Sequence, residues 1–375
     1  LKSDKQAPIE YFCMRLHFDR CIIHHDFKTT ATIVNPPSKP ATQGDVAKAA
    51  GVSTATVSRV INQPESVRIG VRQRVQEAIA EFQYVADAAA RALASKRSRC
   101  IGAVIPTFAN AIFADGIEAF EATLNQADLS LMLTTSGYDS QNELAQVRRL
   151  VERGVDALML VGLNHEPAIY SLLQQRNIPY VHTWAYRSDT THPCVGFDNY
   201  AAAKQLPLHL TSLGHREFAI VSGISKGNDR VYDRLQGIQD ALFTQGIVLA
   251  RNSIIECVYN IEAGRMACRQ LLQSPTPPTA ILCSNDVLAT GALLECQSSG
   301  IEVPTQVSIA GFDDLALSAN LTPSLSTMHI PFTLMGQKAA QYLIDRLSGS
   351  TPQLHQHVEV ELRLRNSTGI PRLSS

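Results

Sequence analysis

Asp45-Val46-Ala47-Lys48-Ala49-Ala50-Gly51-Val52-Ser53-Thr54-Ala55-Thr56-Val57-Ser58-Arg59-Val60-Ile61-Asn62 is the stretch whose reading decides how this chain is organised. At helical spacing Val46, Ala47 and Ala50 make one short apolar face, and Val57, Val60 and Ile61 make a second. Between them Gly51 can supply the positive φ of a sharp reversal, Val52 fills the corner, and Ser53 can cap a second helix beginning at Thr54. Two short helices around a glycine turn form a helix-turn-helix, whose second helix enters the DNA major groove. That helix turns Thr54, Ala55, Ser58 and Arg59 outward, and with Thr56 and Asn62 these are the candidate DNA-contacting residues. Arg59 has the fork that pairs with a guanine edge. The plainer alternative is a helical hairpin within a core.

The pattern Asp-Val-Ala-x-x-Ala-Gly-Val-Ser-x-x-Thr-Val-Ser-Arg-Val-Ile-Asn at 45–62 resembles the headpiece of the lactose/galactose repressor family of bacterial transcription regulators. The resemblance extends over about 41–372. It implies a headpiece and hinge followed by a two-lobed, periplasmic-binding-protein-like domain. The expected fold class is thus an N-terminal all-α helix-turn-helix headpiece plus hinge helix, then an α/β two-lobed domain.

At 375 residues, with 45% hydrophobic and 18% charged residues, the chain is long enough for two or three globular domains. No run of eighteen apolar residues and no charged start leading into an apolar segment is present, so neither a membrane span nor a secretory signal is expected. The net charge of −1 conceals an asymmetry: residues 41–99 hold nine basic and five acidic side chains, while the chain from Cys100 onward is acidic. A basic module on an acidic body suits a protein that places one end on phosphate. Eight cysteines without a Cys-x-x-Cys pair fit reduced, buried thiols in a cytoplasmic protein.

Residues 1–40, with four prolines and no sustained apolar period, are read as a disordered tail or an over-long start assignment. Within them Cys13, His17, Cys21 and His24 or His25 would share a face if helical; nothing else defines a metal site, so no metal and no cofactor is expected. Residues 41–86 are the headpiece, closed by a third helix from about Ile69 to Phe82 with Val71, Val75, Ile79 and Phe82 inward. Residues 87–99 are the hinge and linker. The resemblance makes 87–95 a segment that becomes helical on the operator, with Leu93 the wedge at the central base step; a plain Ala-rich linker is the other reading. Lys96, Arg97 and Arg99 form a basic neck, of which Arg97 is the candidate phosphate contact.

From Cys100 strands and helices alternate, the rhythm of a parallel sheet covered on both faces. It restarts after Val195-Gly196-Phe197-Asp198-Asn199. The expected effector and dimerisation domain spans 100–375, with lobe 1 at about 100–197 plus 329–355 and lobe 2 at about 199–326 plus the C-terminal segment. Pro207 falls inside a helix expected from Tyr200 to Leu213, with no functional account.

The resemblance places effector contacts at Asn110 and Phe113 in lobe 1 and at Arg234, Asn285 and Asp313 in lobe 2, with ligand between the lobes. Arg234 can fork onto a hydroxyl pair or carboxylate; it can equally be a salt-bridged scaffold residue. Two positions depart from the family pattern. Trp184, the only tryptophan, stands where a cleft aspartate is familiar, and Ile330 where a glutamine follows the last crossover, so the ligand is not simply inherited. Trp184 can stack on a sugar face or pack as core. Val195–Asn199, Leu294-Glu295-Cys296-Gln297 and the Asn110-to-Ala114 turn resemble the gluconate-repressor branch.

These readings imply a non-enzymatic transcriptional repressor, a homodimer on pseudo-palindromic operator DNA, controlled by a sugar or sugar-acid effector. With no leucine heptad near Ser375, a tetramer built that way is not expected. Two rival readings remain open to the sequence. A sugar-binding receptor without DNA function would lack the headpiece. A hydrolase would use Ser225 of Gly223-Ile224-Ser225-Lys226-Gly227, followed in order by Asp313 and His329, but the segment behind Ser225 delays the helix a nucleophile elbow needs.

Overall fold

The computed structural model describes residues 40–86 and 97–372. The chain divides into two compact units at Ala86/Asp87. The candidate ligands Cys13, His17, Cys21, His24 and His25, and the hinge residue Leu93, lie outside the described residues.

The first unit has three helices, α1 (Gln43–Ala50), α2 (Thr54–Asn62) and α3 (Ile69–Glu81). Thr42 and Asp45 cap α1 reciprocally, and Gly51 ends it at φ 65°, a conformation glycine adopts without the Cβ penalty. Ser53 caps α2 by accepting from the Thr56 backbone. Val46, Ala47, Ala50, Val57, Val60, Val75 and Ala78 form the core. The inward face of α3 differs from expectation: Ala78 is buried, whereas Phe82, just past the last helical turn, is exposed.

In the second unit β1 (Cys100–Ile105), β2 (Ser130–Thr135), β3 (Ala157–Val161), β4 (Tyr180–Thr183), β5 (Cys194–Gly196) and the late strand β11 (His355–His357) form a sheet in the order β11-β5-β4-β3-β1-β2. Every pairing is parallel. Alternate residues go to opposite layers. Ile101, Ala103 and Met159 meet Phe120 of α4 (Ala114–Gln126) and Met335 of α12 (Phe332–Leu347). Val104, Leu158 and Leu160 meet Val147 and Leu150 of α5 (Ser140–Glu152) and Ile169 and Leu173 of α6 (Pro167–Arg176). A strand buried on both faces reads as a continuous apolar run, which is what β3 is.

Lobe 2 repeats the plan with β6 (Phe218–Gly223), β7 (Ile254–Cys257), β8 (Ala280–Cys283) and β9 (Ser308–Ala310) in the order β7-β6-β8-β9, all parallel. Its helices are α7 (Asn199–Ala203), α8 (Gln205–Ser212), α9 (Asp229–Thr244), α10 (Ile261–Leu272) and α11 (Asp286–Ser298). The single helix expected over 200–213 is interrupted at Lys204. Pro207 thereby becomes the third residue of α8, in the first turn, where a missing N–H costs little. The segments joining the lobes include the antiparallel pair β10 (Thr327–His329) and β12 (Glu361–Arg363), after which the chain returns to lobe 2 through Ser367, bonded to Ser324 and Ile309.

Candidate functional site

The carboxyl ends of β1, β6, β8 and β9 lead into Asn110, Ser222–Gly223, Ser284–Asn285 and Asp313, the place where open α/β sheets hold ligands. Arg234 projects from α9 and is only 4% exposed. Its Nε donates to Asn199 Oδ1 at 2.8 Å, and its Nη1 to the Ser284 carbonyl at 2.9 Å and to Asp313 Oδ1 at 3.5 Å. The guanidinium lies 3.8 Å from the centre of the Phe312 ring. These bonds hold the guanidinium on lobe 2's side of the cleft, a geometry compatible with either sequence reading of Arg234, effector grip or scaffold.

Asn285 caps α11 with its Oδ1, accepting from Leu288 N at 2.9 Å, which leaves its Nδ2 without a partner. Asp313 adopts φ 121° and Asp314 φ 58°, conformations a non-glycine residue holds only under constraint. Asp313 keeps Oδ2 unpaired. Asn110 is buried with both amide atoms unpaired; it leans toward the Tyr138 phenol without reaching hydrogen-bond geometry. The Ser222 hydroxyl and the Trp184 indole N–H are also orphaned. Buried polar atoms in folded proteins are nearly always bonded, so this concentration asks for a polar partner.

Sequence reasoning missed Tyr138, Ser222 and Tyr259. The Tyr138 and Tyr259 rings face each other across the lobes at 6.3 Å, and the Tyr259 phenol packs on Gly223. Burial raises both phenols, partly offset by Arg230 and Arg234. No local pattern marks these positions, because only folding brings the loops after β2 and β7, which carry Tyr138 and Tyr259, to the carboxyl end of β6, which carries Ser222.

Two expectations for the lobe 1 wall are sharpened. Phe113 and Trp184 meet edge-on at 5.3 Å, and Phe332 lies 6.2 Å from the indole on the other side. Gly116 also packs against the indole, where a Cβ would meet Cζ2 at 2.8 Å. Trp184 is 1% exposed, so of its two readings this conformation shows the packed one. Ile330 is likewise core. At the cleft mouth the lobes are tied by Leu163 N to Asp229 Oδ2 at 2.6 Å, Arg230 Nη1 to the Val161 carbonyl at 3.1 Å, and Arg187 to Asp233 at 3.4 Å.

Burial pushes the Asp313 carboxyl up to about 8, outweighing the pull of Arg234, whose own pKa burial lowers. An unfolded Asp titrates near ~3.9, so across this window the folded chain keeps a proton the unfolded chain releases. The resulting stabilisation is full below about pH 4 and is lost as pH climbs through about 8. The unfolding free energy of the parent should therefore fall between pH 6 and pH 8 with a slope of up to about 1.4 kcal/mol per pH unit, and its melting temperature should fall with it. Asp313→Asn should remove that component; an unchanged slope would show that Asp313 does not titrate there.

The hydrolase arrangement is not formed. Ser225 Oγ donates to Glu256 Oε1 at 3.1 Å, Asp313 is on Arg234, and His329 bonds Asp314 at 3.0 Å. α9 starts only at Asp229, capped by Asn228.

On the headpiece, Thr54, Ala55, Arg59 and Asn62 are exposed along α2, and Ser58 is half-buried. The Asn62 amide bonds back to the Ser58 carbonyl at 2.9 Å, and the Thr56 hydroxyl is 3.0 Å from Ser53 Oγ at the helix start. Arg97, the candidate phosphate contact, donates through Nη2 to the Leu347 carbonyl at 3.1 Å, at the end of α12.

Comparison with known proteins agrees with these parts. Residues 42–87 match the bacterial regulatory proteins of the lacI family, and residues 208–368 match the periplasmic binding protein-like domain. The HTH-type transcriptional repressor CytR of Escherichia coli (strain K12) is 32% identical over 336 residues, covering 88% of this chain and 96% of its own length. The HTH-type transcriptional regulator GntR of the same strain is 29% identical over 312 residues, covering 83% and 93%. The crystal structure of the lac repressor dimer bound to operator and the anti-inducer ONPF superposes with a TM-score of 0.78 at 28% identity, covering 88% of this chain and all of that one. A capped helix-turn-helix, a two-lobed α/β domain with an unsatisfied polar cleft, and relatives matched over nearly their whole length make this chain a member of the lacI family of bacterial transcription regulators.

Proposed function

We propose that the chain represses transcription as a homodimer in the cytoplasm, without enzymatic activity, two headpieces reading the half-sites of a pseudo-palindromic operator. Thr54, Ala55, Thr56, Ser58, Arg59 and Asn62 form the base-reading face. The 87–95 segment forms the hinge helix on DNA, with Leu93 at the central step and Arg97 beside phosphate. A sugar or sugar-acid effector between the lobes, with a gluconate-like acid the first candidate, shifts their angle and with it the cost of forming the hinge.

The observation that carries the effector reading is the set of orphaned atoms on Asn110, Ser222, Asn285 and Asp313, beside the Arg234 guanidinium. Phe113 and Trp184 back that set as a rigid wall. Similarity to both CytR and GntR does not select among effectors. Titration calorimetry of the chain against neutral sugars and sugar acids should give heat with at least one, lost in Asn285→Ala. Heat only with purines, or with none of the panel, would sink the effector class while leaving DNA binding untouched.

A further inference from the structure

Lobe 1 contains a second cavity, of about 760 Å³, between α6, the approach to β5 and the last turns of α12. It shares no lining residue with the cavities at the cleft mouth. Its volume is that of a small-molecule site.

One wall is a preformed aromatic stack. Tyr170 and His192 lie face to face with centroids 4.0 Å apart and planes 14° from parallel. The Tyr180 hydroxyl, 2.6 Å from His192 Nδ1, fixes the imidazole. Burial holds His192 below its ordinary pKa, so this wall is uncharged at neutral pH. The lining also carries a polar pair: Tyr342 and Arg346 lie one helical turn apart on α12. Tyr342 is only 4% exposed, yet neither its hydroxyl nor the Arg346 guanidinium has a hydrogen-bond or ion-pair partner among the described residues. No acidic residue lines the cavity.

An aromatic shelf, one unopposed guanidinium and one free phenol lining the same cavity define a ligand with a flat ring and one anionic end. A single fork matches a carboxylate, whereas a phosphate dianion would call for further cations. We propose that this cavity binds an aryl carboxylate, its ring laid against the Tyr170–His192 stack and its carboxylate on Arg346 and the Tyr342 hydroxyl. Leu347, next to Arg346, accepts the Arg97 bond.

The test uses the full chain, with benzoate, salicylate and 1-naphthoate as probes and benzyl alcohol as the uncharged control. Calorimetry should show the carboxylates binding at least tenfold more tightly than the alcohol. Arg346→Ala should weaken them about tenfold, equivalent to about 1.4 kcal/mol, with an unchanged melting temperature because that side chain is exposed and unbonded. Tyr342→Phe should weaken them less; if it fails to fold, Arg346→Ala carries the test alone. A crystal soaked with 4-iodobenzoate should place the iodine beside His192. No binding by any carboxylate at millimolar concentration, equal binding by Arg346→Ala, or iodine in the inter-lobe cleft would each overturn the proposal.

Discussion

Arg234→Met is expected to lower the melting temperature of the effector domain by roughly 10 °C and to abolish its response to effector. The side chain is buried and holds three groups at once. Methionine fills much of the volume but leaves Asn199 Oδ1 and the Ser284 carbonyl as buried acceptors without a donor, each costing about 1–3 kcal/mol. The lost contact with Phe312 adds to this, giving about 3–5 kcal/mol in all. Asp313 softens the loss, since a carboxyl already pushed up to about 8 can take a proton instead of remaining an unpaired buried charge. Asn199 also bonds the Trp184 carbonyl at 2.9 Å, so the damage should reach the crossing between the lobes. Thermal denaturation and effector titration check both parts; a melting temperature within 2 °C of the parent would show that the bonding around Arg234 is incidental.

Gly336→Ala should cost about 3 kcal/mol, although alanine is the better helix former by about 1 kcal/mol. An added Cβ on α12 would fall inside the van der Waals shell of the Gly116 carbonyl oxygen on α4, with the Phe120 backbone behind it. Backbone cannot rotate away as a side chain can, so the two helices must separate, loosening Phe120, Met335, Ala339 and Leu343 in the main core. Gly70→Ala is the contrasting case: it lies in the first turn of α3 with nothing within 4 Å of an added Cβ, and it should be neutral or slightly stabilising. If both substitutions move the denaturation midpoint the same way, close helix contact is not what requires Gly336.

Much of this architecture is legible in the sequence because local and tertiary demands coincide there. The turn at Gly51, the cap at Ser53 and the apolar faces around them are set by residues within a few positions of one another. The doubly covered strands announce themselves as apolar runs such as Ala157–Val161. What escaped depends on distant parts of the chain. The break at Lys204 that accommodates Pro207 is a tertiary bend, and the short strands His355–His357 and Glu361–Arg363 are too polar to stand out.

The cleft divides the same way. Asn110, Arg234, Asn285 and Asp313 follow from the family resemblance and face the inter-lobe region, whereas Tyr138 and Tyr259 lie on loops with no pattern of their own and Ser222 is one more residue of the buried strand β6. For Trp184 the sequence allows ligand platform or core, and only the positions of Phe113, Gly116 and Phe332 around it show the packing of this conformation.

The most direct test of the regulator account is a gel shift over a range of salt, comparing the parent with Arg59→Ala and Arg97→Ala on an operator half-site series. The parent should bind more weakly as salt rises, as phosphate neutralisation requires. Arg59→Ala should lose about 1–3 kcal/mol of discrimination at one base position, while Arg97→Ala should weaken all sequences evenly and flatten the salt slope by about one. Sequence-independent binding by the parent, or the same profile from both variants, would contradict it.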